Sequence, residues 1–278
     1  MAVIGKVLID GEPVTPSEAV ISVFDIGFQR GYGCFEAMRS YGGSIFRLDA
    51  HLDRLAGSST KLRIPVPDRD SVARWCRTAA EPAGDCVVRV FVSGGVDPTN
   101  PGTESRVVVF AEPVPALPDG LVLQTRVAPW HTDGEWFELT GAKALSYGFN
   151  LAASVAANDE GFDDALLVGV TGIVLEGPTY SIGWIIDGEL HTPGLEIGIL
   201  ESITRRAAID VAAEIGMTVH EGRYTVADVR LADEVVAMST TREVLPVTRI
   251  DDDEFTPGLA TRRLREGFGA LVARELGG

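Results

Sequence analysis

Lysine is scarce in this chain of 278 residues. It occurs only at Lys6, Lys61 and Lys143, so arginines make up the rest of the 24 lysine and arginine residues. Arginine stays protonated because its pKa is high, whereas a partly desolvated lysine can lose its proton and form a Schiff base with a carbonyl. Chemistry that needs a neutral side-chain amine is therefore excluded from all but three positions.

Cysteine and long apolar runs are also in short supply. Cys34, Cys76 and Cys86 are odd in number and lack the spacing of metal ligands, which predicts reduced thiols in a cytoplasmic protein. No run approaches the roughly 18 apolar residues of a membrane helix, and Met1–Asp10 lacks the charged start and long apolar core of a signal peptide. The sequence therefore predicts no membrane association.

Positive charge is outweighed by negative charge. The 40 acidic residues give a formal net charge of −16. Because no arginine run stands free of acids and an acidic chain repels a phosphate backbone at long range, nucleic acid is excluded as a partner.

Metal-ligand spacing is absent as well. The acidic run 251–254 is followed by Thr256-Pro-Gly, which favours a polar turn between strands over a cation site. The four histidines, His51, His131, His191 and His220, lie far apart in the sequence. The sequence therefore predicts no metal site.

Lys143 has an unusual setting for a lysine. Small residues and glycine precede it in the segment 140–150, and an apolar, helix-prone run follows at Leu151–Ala157. A lysine that only snorkels at a helix start is the ordinary alternative. The segments downstream favour a chemical role.

Three downstream segments carry polar groups at the ends of apolar runs. Glu176 ends a run, 165–175, that is typical of two buried strands, where a carboxylate is costly unless it is paired. Ser202 is a plausible N-cap of a helix over 202–215, whose first N–H groups suit a phosphate. The buried strand that begins at Val235 continues into hydroxyls at 239–241 that can donate to phosphate or carboxylate oxygens.

Length and composition predict two domains, and the strand and helix patterns in both indicate a mixed α/β (α+β) protein. A chain of 278 residues that is 45% hydrophobic can form two moderate cores. The proline-rich stretch 112–120 marks the composition break, so we expect an N-terminal α/β domain at 1–114, a linker at 115–120 and a C-terminal α/β domain at 121–278 that carries Lys143. The expected first-domain elements are strands at Val3–Ile9, Ile21–Phe24, Cys34–Tyr41 and Val87–Val92, and helices at Ala50–Leu62 and Asp70–Ala80.

These segments, in this order, resemble the class IV aminotransferases. Blocks at Ile21–Arg39 and Ile45–Leu55 and a tail at 247–265 match the same family, so the resemblance covers nearly the whole chain. The family includes branched-chain and D-amino-acid aminotransferases, R-selective amine transaminases and aminodeoxychorismate lyases. The resemblance implies the two-domain fold type IV, an active site at the domain interface, a homodimer and the cofactor pyridoxal phosphate.

Carried over residue by residue, the resemblance assigns roles around the cofactor. Lys143 would form the internal aldimine and then move a proton between the substrate carbon and the cofactor. Glu176 would face the pyridine nitrogen and keep it protonated. Tyr147, four residues after the lysine, would reach the ring hydroxyl, although it could equally be a core aromatic.

The resemblance also assigns a phosphate site. Arg54 would clamp the phosphate together with the backbone amides of Ile203 and Thr204 and the hydroxyl of Thr240. The alternative for Arg54 is a solvated helix arginine paired with an aspartate of the same helix.

Departures from the family pattern leave the substrate open. The block Arg-Gly-Tyr-Gly from Arg30 replaces the usual Tyr-Gly-Asp-Gly, so Arg30 and Tyr32 are expected to line the pocket entrance. Gly94 stands where D-amino-acid aminotransferases carry an arginine for the substrate carboxylate, whereas Arg89 matches the arginine of the branched-chain type. Thr241 completes the expected substrate-binding residues.

The reaction implied is transfer of an amino group from an amino acid or amine to a 2-keto acid. The alternative within the fold is an aminodeoxychorismate lyase, because the segments 143–147 and 176–181 resemble some members assigned as lyases. A non-catalytic homologue that binds pyridoxal phosphate is a further alternative, which the presence of Lys143, Tyr147 and Glu176 together disfavours.

Overall fold

The computed structural model describes residues 3–132, 134 and 137–277. It divides into two compact units. The first comprises Met1–Pro115, Ala142–Tyr147 and Glu275–Gly278, and the second comprises Ala116–Gly141 and Gly148–Arg274. The short segment that carries Lys143 thus clusters with the first unit, whereas the sequence analysis assigned it to the C-terminal domain.

The first unit is an antiparallel sheet covered on one face by helices. Its strand order is β2-β1-β6-β5-β3-β4. The strands are β1 Ile4–Ile9, β2 Glu12–Val14, β3 Gly33–Tyr41, β4 Ser44–Ile45, β5 Cys86–Ser93 and β6 Val107–Glu112. The helices are α1 Ile26–Arg30, α2 Leu48–Lys61 and α3 Arg69–Ala80.

Apolar residues at helical spacing explain why α2 and α3 lie on this sheet. Leu48, Leu52 and Leu55 of α2 are buried, and Val72 and Cys76 belong to the corresponding stripe of α3. A stripe with this spacing turns one side of a helix toward a core. The predicted helices and three of the four predicted strands are confirmed within a few residues.

The strand predicted at Ile21–Phe24 is wrong. These residues form an irregular turn before α1, and Val23 and Phe24 are exposed. No described strand pairs with them, because Asp25 begins a helix immediately afterwards by accepting a hydrogen bond from the Gly27 N–H at 2.7 Å. A side-chain cap of this kind supplies a partner for a backbone N–H that the first helical turn leaves free.

The second unit is built on a mixed sheet. Its order is β11-β10-β9-β12-β13-β7-β8, and β14 pairs with β13. The strands are β7 Leu121–Val127, β8 Asp164–Val168, β9 Ser181–Ile186, β10 Glu189–Pro193, β11 Val219–Gly222, β12 Glu234–Ser239, β13 Glu243–Ile250 and β14 Asp253–Glu254. The α-helices are α4 Gly148–Asp159, α5 Ile203–Glu214, α6 Val226–Val229 and α7 Leu259–Glu275, and a 3-10 helix spans Leu195–Ile197.

Two buried clusters of described residues lie in the second unit. One surrounds Trp184 with Ile182, Val235 and Leu245, and the other packs Ala153 and Ala157 of α4 against the sheet. None of the described helices combines the length and hydropathy that crossing a bilayer requires.

Candidate active site

Hydrogen bonds hold the main chain of Lys143 against β3. The Phe35 N–H donates to the Lys143 carbonyl at 3.0 Å, and the Leu145 N–H donates to the Gly33 carbonyl at 2.8 Å. The Lys143 N–H donates to the Ser58 hydroxyl of α2 at 3.0 Å. Position 33 needs glycine, because a Cβ there would lie 2.5 Å from the Val92 carbonyl oxygen of β5 and 2.6 Å from the Leu145 side chain. These hydrogen bonds thus fix the backbone position of Lys143.

The side chain of Lys143 is half-buried among aromatic groups. Its Nζ lies 4.3 Å from the ring centroid of Phe35 and 3.4 Å from the hydroxyl of Tyr147. The two rings meet edge to face with their centroids 5.1 Å apart, an arrangement that favours a fixed geometry. Lys6 and Lys61 are exposed, so Lys143 is the lysine that the fold partly desolvates.

Arg54 is held by a buried carboxylate. Its Nε and Nη2 donate to the two oxygens of Glu36 at 2.7 and 2.8 Å. The Nδ1 atom of His51, also buried, lies 2.8 Å from the same carboxylate. Two parallel charge-assisted hydrogen bonds fix the plane of the guanidinium. Arg54 is therefore not the solvated helix arginine of the alternative hypothesis; Asp49 and Asp53 instead pair with Arg69.

The charges of this group follow from its surroundings. Burial raises the pKa of the Glu36 carboxyl, but the charge of Arg54 and the hydrogen bonds outweigh burial and hold that pKa at about 2. Burial lowers the pKa of His51. The imidazole is thus neutral near pH 7, and we infer that its Nδ1–H donates to Glu36.

We predict that Glu36→Gln destabilises the fold by about 3–5 kcal/mol, because removing one member of a buried ion pair leaves the charge of Arg54 uncompensated. Urea unfolding followed by fluorescence measures the free energy. The wild-type pair contributes fully above pH 4.5 and its contribution falls away as pH drops toward about 2, so the variant should lose less stability over that interval.

Asp53→Asn is the matched control for this change, because Asp53 is the exposed neighbour of Arg54 on the same helix and its pair with Arg69 is a surface contact. Equal loss of stability in the two variants would contradict a special contribution from Glu36.

The expected substrate-binding residues of the first unit occupy three different settings. Arg30 is exposed at the end of α1. The Tyr32 hydroxyl donates to the Leu62 carbonyl at 2.8 Å. Arg89, half-buried on β5, is paired with Glu112 of β6, with Nη2 at 2.6 Å from the carboxylate.

Glu176 lies in the second unit at the end of a hydrogen-bonded hairpin arm. Its backbone carbonyl accepts from the Leu167 N–H at 2.9 Å. Its side-chain Oε1 accepts from the Leu200 N–H at 3.2 Å, and the carboxylate is half-buried. The two runs predicted across 165–175 are present as β8 and a returning arm bridged to it through Val168 and Val174.

The predicted phosphate-binding groups of the second unit are an N-terminal helix turn and a hairpin turn. Ser202 caps α5 as predicted, accepting from the Arg205 N–H at 3.2 Å, so Ile203 and Thr204 occupy the first helical turn. Thr240 and Thr241 lie in the turn between β12 and β13.

The structure thus brings together Lys143, Tyr147 and Phe35 in the first unit. The sequence analysis did not predict Phe35, Glu36 and His51 as residues of the site. A signal for Glu36 was present, because side chains alternate along a strand and Glu36 shares its face with the apolar Cys34 and Met38.

The family model for amino-transferase class IV matches residues 33–250, which include the lysine segment, the Glu176 arm and the hydroxyl turn. The chain belongs to the class IV aminotransferases. The protein is therefore an enzyme that depends on pyridoxal phosphate and acts on small molecules.

Two curated proteins and one solved structure resemble this aminotransferase over nearly its full length. It is 30% identical over 288 residues to the branched-chain-amino-acid aminotransferase of Salmonella typhimurium, covering 96% of this chain and 92% of that one. It is 29% identical over 285 residues to a D-alanine aminotransferase of Listeria monocytogenes, covering 98% of each. A solved structure from Mycobacterium tuberculosis, a hypothetical aminotransferase in its PLP-bound form, superposes with a TM-score of 0.90 at 26% identity, covering 98% of this chain and 100% of that one.

The side chains of this aminotransferase fit its cofactor chemically. The first unit offers a half-buried amine beside a phenol hydroxyl and a guanidinium with a fixed plane. The second offers a half-buried carboxylate, the N-terminus of α5 and a turn with hydroxyls. An aldehyde, a phosphate and a pyridine nitrogen are groups that such side chains bind.

Proposed function

We propose that this enzyme transfers an amino group from an amino acid or amine to a 2-keto acid with Lys143 as the catalytic amine. The observation that carries the proposal is the half-buried Nζ atom, 3.4 Å from the Tyr147 hydroxyl. When bound, pyridoxal phosphate supplies an electron-withdrawing ring that stabilises the negative charge left on a deprotonated substrate carbon. Lys143 would hold the cofactor through its aldehyde carbon, and its amine, freed when the substrate amine replaces it there, would move the proton of the substrate carbon.

The roles of the remaining cofactor ligands are part of this proposal. Tyr147 would donate a hydrogen bond to the ring hydroxyl, and the carboxylate of Glu176 would hold a proton at the ring nitrogen. The phosphate would be held by Arg54, the N–H groups of Ile203 and Thr204, and the Thr240 hydroxyl. The bidentate pair with Glu36 supports the role of Arg54, because it holds the cation in one orientation before the phosphate arrives.

We infer that Arg89 binds the carboxylate of the substrate, with Arg30, Tyr32 and Thr241 as further substrate contacts. Arg89 is half-buried, which strengthens its interaction with a carboxylate. Its pair with Glu112 orients the guanidinium. The row of stacked rings Phe35, Phe91 and Phe110 lies on the same sheet face as Arg89 and offers an apolar surface beside the cation.

We propose that the enzyme is a cytoplasmic homodimer. Four apolar side chains within nine residues are more than three-fifths exposed: Val20, Val23, Phe24 and Phe28. Exposed apolar patches of this kind mark protein contact sites in soluble proteins. The three cysteines are buried free thiols, as expected in a reducing compartment.

We predict that the wild type is dimeric and that Phe24→Asp with Phe28→Asp shifts it toward monomer, because each charge would have to be desolvated in the contact. Light scattering during gel filtration measures the mass. A monomeric wild type at micromolar concentration would refute the dimer, and Leu231→Asp, at another exposed apolar residue, is the control.

The half-reaction tests the proposed activity. With an amino donor and no keto acid, a transaminase must stop midway, so the absorption of the bound cofactor should shift once, with one keto-acid or ketone product per site. Adding a 2-keto acid should restore the original spectrum. We expect this with at least one donor from a panel of L-amino acids, D-amino acids and R-amines.

The same panel tests the substrate contacts. Arg89→Ala should reduce the affinity for donors with a carboxylate by at least about tenfold, because a charge-assisted contact contributes about 1.5–3 kcal/mol. The affinity for R-amines should not change. The absence of any donor-dependent shift, together with release of pyruvate from aminodeoxychorismate without an acceptor, would show that the enzyme is a lyase and not a transaminase.

A further inference from the structure

Two histidines that are 29 residues apart in the sequence become neighbours at one edge of the second sheet. The strands β10 and β11 are parallel, and their register pairs His191 directly with His220. Because side chains alternate along a strand, Glu189, two residues before His191, lies on the same face. The fold thus collects a carboxylate and two imidazoles, although the sequence analysis predicted no metal site because the histidines lie far apart in the sequence.

The three side chains are close enough to share one ion. The Nε2 atom of His220 lies 2.7 Å from the Oε2 atom of Glu189. The imidazole rings of His191 and His220 stack with centroids 4.7 Å apart at 21°. One ligand atom from each of the three residues lies within 4.8 Å of the others, and all three residues are half-buried.

Aromatic neighbours orient His191. Its Nδ1 atom lies 3.5 Å from the Tyr224 hydroxyl, and its ring stacks on the fully buried Trp184 with centroids 6.3 Å apart. A hydrogen-bond partner on one imidazole nitrogen fixes the ring and leaves the other nitrogen for a metal.

We propose that Glu189, His191 and His220 bind a divalent zinc ion that clamps β11 to β10. Two imidazoles and one carboxylate are a ligand set typical of zinc, with water in the fourth position. Ligand atoms at about 2.1 Å from one zinc ion lie about 3.4 Å apart, so shifts of about 1.5 Å or less would bring the three ligand atoms, now within 4.8 Å of one another, to that spacing. The ion would take the place of the hydrogen bond between the Nε2 atom of His220 and the Oε2 atom of Glu189.

Calorimetric titration of the EDTA-treated holoenzyme with zinc chloride tests the proposal. We expect one zinc ion per chain with a micromolar or lower dissociation constant, and an increase in the melting temperature with zinc. His220→Ala and Glu189→Gln should each weaken binding by at least about 100-fold, since they remove ligands directly. Both positions are about half-exposed, so neither substitution should prevent folding.

Two control variants locate the ion. His131→Ala removes a histidine of the second unit outside the cluster, and Lys143→Ala removes the proposed cofactor-binding amine; zinc binding should persist in both. Failure of the proposed catalytic role of Lys143 would leave this result unchanged. No zinc binding by the wild type at 100 micromolar, as an order-of-magnitude ceiling, or equal binding by His220→Ala, would overturn the proposal.

Discussion

Replacement of Lys143 by alanine should reduce turnover by at least about four orders of magnitude, which corresponds to about 5–6 kcal/mol of lost transition-state stabilisation. Lys143 is the lysine whose amine the fold partly desolvates beside the Tyr147 hydroxyl. Steady-state kinetics measure the loss. Borohydride reduction followed by peptide mass spectrometry should place the cofactor on Lys143 in the wild type and on no lysine in the variant.

Two further variants make this test specific. Lys143→Arg keeps a cation next to the Phe35 ring but cannot lose its proton at neutral pH, so it should be as inactive as the alanine variant. Lys6→Ala removes an exposed lysine and should retain full activity. Mapping of the reduced cofactor to Lys6 or Lys61 would reject the assignment of the site.

Glu176→Gln should slow proton abstraction from the substrate by about two to four orders of magnitude while the cofactor stays bound. The amide keeps the shape of the side chain, and its oxygen can still accept from the Leu200 N–H, but it lacks the charge that holds a proton on a pyridine nitrogen. Each tenfold loss of rate corresponds to about 1.4 kcal/mol. The primary isotope effect with α-deuterated donor should increase, because proton transfer becomes rate-limiting.

Glu254→Gln is the matched control, since it removes an exposed carboxylate from β14 of the same unit. Near-normal turnover in Glu176→Gln would show that Glu176 is a structural acid that only anchors the Leu200 backbone. Loss of the cofactor from the variant would assign it to binding instead.

Local patterns were sufficient to predict most of the elements around the site. The buried stripe of α2, the cap at Ser202 and the strand before Thr240 depend on short-range spacing, which the sequence displays directly. The strand prediction at Ile21–Phe24 was wrong because residues such as Ile21 and Val23 favour a strand, whereas the backbone of this segment has no partner strand among the described residues. Strand formation depends on a partner strand, and the sequence of a short segment does not show whether such a partner is present.

The site was predictable to the extent that its residues are close in sequence. Lys143 and Tyr147 are four residues apart, and the resemblance assigned both to the cofactor; in the structure the Lys143 amine lies 3.4 Å from the Tyr147 hydroxyl. The pairs Glu36 with Arg54 and His191 with His220 depend on helix docking and strand register, which are long-range properties of the fold. Composition alone could show only that Glu36 would need a partner if it were buried.

The alternation along β3 has a consequence for insertions and deletions. Phe35 provides the ring next to the Lys143 amine, and the next residue, Glu36, turns to the opposite face and holds Arg54. A shift of the strand by one residue would exchange the two faces, placing a carboxylate beneath the lysine and a phenyl ring against the arginine. Laboratory evolution of this enzyme should therefore accept point substitutions in β3 far more readily than any change in its length.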